Sequence, residues 1–63
     1  MENKLKELRE AKGMSQEELS KESGVARTII SYIETKKDVD IKLSTLSCLA
    51  NALGERVSDI FLI

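Results

Sequence analysis

Within SQEELSKESGVARTIISYIE, Ser15 to Glu34, a single glycine, Gly24, separates two segments that both read as helix. No other feature constrains the fold as tightly. Two helices joined by so short a turn must cross steeply, and the turn needs a residue at positive φ, which glycine supplies without steric cost. Steep crossing also brings the backbones close, so the residue one turn earlier must be small. Ser20 stands there.

The flanking segments extend the same logic. Leu5 and Leu8 share a helical stripe with Arg9 and Lys12, so residues 2 to 12 read as an amphipathic first helix followed by Gly13. Ser15 and Glu18 form a capping-box pair that opens a second helix over about Gln16 to Glu22, burying Leu19. The third helix is expected over about Ala26 to Glu34, with Ile30 and Ile33 facing inward beside Val25. TKKDVD, Thr35 to Asp40, reads as a loop. Leu43, Leu46, Leu49, Ala50 and Leu53 recur at helical spacing in a fourth helix that ends at Gly54. Asp40 and Ser44 are both eligible to cap its start, whereas Lys42 is not. Ser58 is suited to cap a last turn in which Ile60 and Phe61 close the core. With no strand signal, no proline and no repeat, the expected architecture is all-α: five short helices in one domain spanning 1–63.

At 63 residues the chain buries only about 60% of its unfolded surface, which leaves little room for a substrate cleft. It has no histidine and one cysteine, so the commonest general base, an internal disulfide and a multi-cysteine zinc site are all missing. Its three glycines stand singly, so there is no phosphate-cradling glycine loop. These absences argue against an enzyme, a cofactor and a metal, and for a binding module. No apolar run approaches a membrane span or a signal peptide, which places the protein in the cytoplasm. Cys48, opposite Leu46 and Leu53 on the fourth helix, reads as an incidental thiol. The chain stops on the apolar run Ile60-Phe61-Leu62-Ile63, which is compatible with its being part of a longer protein.

The geometry imposed by Gly24 leaves one face of the third helix exposed, carrying Arg27, Thr28, Ser31 and Tyr32. Such a face fits the DNA major groove, whose width admits one α-helix. Here the residues resemble a known family. Gln16 to Thr35 is similar to the helix-turn-helix of phage-repressor (Cro/CI-like, XRE) DNA-binding domains. The likeness extends through LKELREAKGMSQEEL before the turn, GVARTIISYIE after it, and LSTLSCLANALG with VSDIF at the end. The resemblance implies a compact five-helix, lambda-repressor-like domain that binds double-stranded operator DNA, usually as a dimer, and regulates transcription, most simply as a repressor. It assigns Gln16 to the phosphate backbone and to bracing the recognition helix. Ala26, Arg27, Thr28 and Tyr32 match positions that meet base edges or adjoining phosphates, and Arg9 with Glu34 matches a partly buried ion pair. Three residues depart from the pattern: Ala26 stands for Ser or Thr, Ser23 for an aliphatic, and Lys36 for glycine.

Net charge is −1, an acidic balance for a nucleic-acid binder. Its distribution matters more than its sum. Glu2, Glu7, Glu10, Glu17, Glu18 and Glu22 belong to the first two helices. From Ser23 to Lys37 stand Arg27, Lys36 and Lys37 against Glu34 alone, and Lys42 follows with no acid until Glu55. Lys36 and Lys37 are therefore candidate phosphate contacts, at an expected ~3 to 5 such contacts per monomer. Ile29, apolar at an outward position, suits either a thymine methyl or packing against the following loop. An alternative reading keeps the helix-turn-helix but makes it an antitoxin-like or partner-binding module with little DNA affinity. The acidity and Ala26 favour that alternative; Gln16, Arg27, Thr28 and the local cations favour DNA. One recognition helix reads too few base pairs for specific binding, so a homodimer on an inverted repeat is expected, paired near the loop before the fourth helix and the Val57 to Ile63 segment.

Overall fold

A computed structural model describes residues 2–36 and 40–62. Among these lie five helices: α1 (Leu5–Ala11), α2 (Gln16–Ser23), α3 (Arg27–Thr35), α4 (Leu43–Leu53) and α5 (Val57–Ile60). The all-α expectation holds, with one addition. Two-residue strands β1 (Glu2–Asn3) and β2 (Phe61–Leu62) pair antiparallel, Glu2 opposite Leu62 and Asn3 opposite Phe61.

That pairing explains why α1 begins at Leu5 and not at residue 2. Asn3 is drawn into the strand pair, and its side-chain Oδ1 accepts the Leu5 amide at 3.1 Å, marking the start of the helix. The amphipathic pattern is blind to this because the partner strand lies at the other end of the chain. At Ser15 the capping box forms in full: Ser15 Oγ accepts the Glu18 amide at 3.0 Å, and Glu18 Oε1 accepts the Ser15 amide at 2.9 Å. Gly24 ends α2 at φ 74°, in the left-handed region.

The expected caps of the last two helices are overturned. Lys42 occupies the position before α4 and makes no side-chain cap, so neither Asp40 nor Ser44 serves there. Before α5 stands Arg56, and the Asp59 carboxylate reaches back to accept the Arg56 amide at 3.1 Å, leaving Ser58 inside the turn. Both helices are held by what they bury rather than by a hydroxyl cap.

Leu5, Leu19, Val25, Ile30, Ile33, Leu46, Leu49, Ala50, Leu53, Ile60 and Phe61 form one core, flanked by Leu8, Met14, Ile41, Ala52 and Val57. α2 packs on both α3 and α4, α4 on α5, and α1 on α3. Leu43 breaks the expected pattern. It falls on the apolar spacing of α4 yet is 67% exposed, because as the first helical residue it precedes the turn that reaches the core. No described helix is long and apolar enough to cross a membrane.

Candidate nucleic-acid interface

The turn between α2 and α3 is built from serines as well as from Gly24. Ser20 Oγ donates to the Val25 carbonyl at 2.6 Å, and the Gly24 amide donates to the Ser20 carbonyl at 2.9 Å. Ser23 Oγ donates to the Leu19 carbonyl at 2.7 Å and accepts the Val25 amide at 3.2 Å. A hydroxyl at position 23 thus satisfies turn backbone where an aliphatic side chain would only pack. A Cβ placed on Gly24 meets nothing within 4 Å, so the demand for glycine there is conformational, not steric.

Burying Val25, Ile30 and Ile33 fixes which face of α3 remains outside. Arg27, Thr28 and Tyr32 are exposed and Ser31 is half-buried. Arg27 with Ser31 and Thr28 with Tyr32 are i, i+4 neighbours, so the four form two adjacent rows on one surface. Ala26 is exposed at the amino end of α3 and provides no side-chain cap. Ile29, 38% exposed, lines a shallow hollow of about 220 Å³ with Gly24, Val25, Ala26, Ser44, Thr45 and Cys48. It therefore faces the start of α4 across this hollow, beside the contact face. Cys48 is free and exposed.

The carboxyl end of α3 is held more firmly. Arg9 grips Glu34 through both arms of its guanidinium, Nε to Oε2 at 2.8 Å and Nη2 to Oε1 at 3.0 Å, while Nη1 donates to the Met14 carbonyl at 2.7 Å. Gln16 Nε2 adds a bond to Glu34 Oε1 at 3.0 Å. The Arg9 and Glu34 side chains are only 9% and 2% exposed, so the pair is buried, more deeply than the sequence suggests. Burial pushes the Glu34 carboxyl up, but hydrogen bonds from Arg9 and Gln16, with the charges of Arg9 and Lys6, outweigh it and leave the group below the usual carboxylate range. Arg9 is correspondingly raised, chiefly by its hydrogen bond to Glu34. No buried side-chain polar atom among the described residues lacks a partner.

Asn3 completes this end, and nothing in the sequence singled it out. Its Nδ2 donates to the Ile33 carbonyl at 3.1 Å. An asparagine that accepts an amide two residues on is a recognisable local turn, but a bond to a residue thirty positions away has no local signature.

Lys36 is exposed at the residue that ends α3, and Lys42 is exposed before α4. Lys37 lies outside the described residues. Asp40, exposed between these lysines, offsets part of the positive charge expected there. The structure therefore groups Arg27, Thr28, Ser31 and Tyr32 on one face, with Ala26 and Lys36 at its two ends. Gln16 lies behind the carboxyl end, bonded to the Glu34 carboxylate that Arg9 also holds.

A family model described as helix-turn-helix matches residues 5–60. The chain belongs to this family, the Cro/CI-like (XRE) helix-turn-helix domains of DNA-binding regulators. Comparison with curated proteins and with solved structures gives no match.

Proposed function

We propose that the chain is a sequence-specific transcriptional regulator, acting as a repressor, that lays α3 in the major groove of operator DNA as a homodimer. The observation that carries this reading is the outward row of Arg27, Thr28 and Tyr32 on a helix anchored at its far end by buried Glu34. Arg27 offers a planar fork suited to guanine O6 and N7, the commonest specific contact. Thr28 and Tyr32 reach neighbouring base edges or sugars, with Ser31 behind them. Gln16, Lys36 and Lys37 supply sequence-independent phosphate contacts, and Ala26 permits close approach of the backbone at the amino end of α3. Repression needs no further surface, since occupying a site is enough to block it.

The test is selection of duplexes from a randomised pool, followed by gel shifts of the selected and scrambled duplexes at two salt concentrations. A consensus with inverted symmetry is expected, bound more tightly than the scrambled duplex at both salts. The partner-binding alternative draws support from the uncapped, donor-free Ala26 and the acidic first two helices. Its signature is enrichment of no consensus at any salt.

A further inference from the structure

Asn3 makes three attachments from one residue. Its backbone pairs with Phe61 in the β1–β2 ladder, its Oδ1 accepts the Leu5 amide that starts α1, and its Nδ2 donates to the Ile33 carbonyl in the last turn of α3. The orientation of the side-chain amide is not arbitrary. A backbone N–H can only donate and a carbonyl can only accept, so both bonds demand the same placement of oxygen and nitrogen.

The Ile33 carbonyl belongs to the set at a helix end that has no partner within the helix. Arg9 and Gln16 hold that end through the Glu34 side chain. Among the described residues, the side chain from another element that holds its backbone is that of Asn3.

We infer that Asn3 is a positioning residue for DNA recognition, which ties the pairing of the two chain ends to the rotational setting of α3. The inference rests on the DNA-reading function proposed above. A side-chain tip about 5 Å from a helix axis moves by about 1 Å when the helix turns by about 10°. A two-pronged contact to a base tolerates about half of that, whereas a long side chain reaching a phosphate tolerates more. Loss of the Asn3 bond therefore weakens sequence-specific binding and leaves non-specific binding nearly intact.

Two variants separate this from a general loss of stability. Asn3→Asp keeps an acceptor for the Leu5 amide and loses the donor to Ile33. Asn3→Ser removes the amide donor without adding charge, and its single oxygen, one bond nearer the backbone, cannot reproduce both bonds of the amide. Each is measured against a duplex selected by the wild-type protein and against a scrambled duplex, with amide hydrogen exchange followed in the DNA-free protein. The expected result is a two- to tenfold loss on the selected duplex, about the value of one hydrogen bond, with less than about twofold on the scrambled one. Exchange should quicken in the last turn of α3 and not in α4. An unchanged ratio of selected to scrambled affinity overturns the inference, even if exchange in α3 responds. Equal losses on both duplexes with uniformly faster exchange also overturn it, by showing a merely structural residue. A wild-type protein that selects no duplex sinks the DNA reading itself, and this inference with it, whatever the exchange pattern.

Discussion

Gln16 donates one amide hydrogen to Glu34, which leaves its second N–H and its carbonyl oxygen for another partner. Gln16→Ala should therefore weaken binding to every duplex about equally and also lower stability slightly, a pairing that Lys36→Ala should not show. Arg27→Ala and Thr28→Ala should each cost about 1–3 kcal/mol of specific binding and relax preference at one or two base pairs, read by gel shift against single-base variants of the selected site. An Arg27→Ala protein with unchanged base preference would remove α3 as the reading helix. Gly24 can be tested without DNA. Its φ of 74° with open space around the missing Cβ means that Gly24→Asn should cost only about 1 kcal/mol, whereas Gly24→Val should cost clearly more. Equal urea midpoints for the two variants would show that the positive φ is not what position 24 requires.

Between the elements, the Arg9–Glu34 pair ties the carboxyl end of α3 to α1. Glu34 has a lowered pKa in the folded protein, so its contribution to stability is complete above its unfolded value of 4.5 and is lost as pH falls through the lower folded value. The urea midpoint should decline below about pH 4.5, and Glu34→Gln should flatten that part of the curve. Arg9→Ala should destabilise by about 3 kcal/mol, because it leaves a buried carboxylate uncompensated. Near-additive single and double mutants would show that the two side chains do not act together. Helix identity was legible in the sequence because the apolar positions of α3 and α4 repeat at helical spacing and a capping box opens α2, and Arg9–Glu34 was legible through family resemblance. Helix starts were less so. Lys42 and Arg56 precede helices with no hydroxyl cap, Leu43 keeps the spacing without the burial, and the true start of α1 depends on a strand at the opposite end of the chain. Local pattern reports propensity; these features are decided by contacts between distant residues.

At the scale of the whole molecule, the fold measures only 24 × 21 × 19 Å, about twice the ~12 Å width of the major groove. Two copies side by side are of the right size to place their α3 helices about 34 Å apart, one turn of DNA. Ile60 and Phe61 are consumed by the core, whereas Leu43, read from the sequence as an inward position of α4, is 67% exposed next to the loop where pairing is expected. Leu43→Glu should therefore reduce cooperative binding to a two-half-site duplex while leaving single half-site affinity within about twofold. Footprinting checks the prediction, and protection of one half-site with one protein per operator at saturation would rule the dimer out.

The pairing of Glu2 with Leu62 makes the folded chain very nearly a ring. A contact between the first and last described residues has the largest loop to close, so it is expected to form after the helices have docked. Contacts made after the transition state govern how fast a protein unfolds more than how fast it folds. Joining the two ends through a short linker should therefore slow unfolding and leave the folding rate nearly unchanged. The gain is bounded by the closure entropy of the whole chain, about 4 kcal/mol.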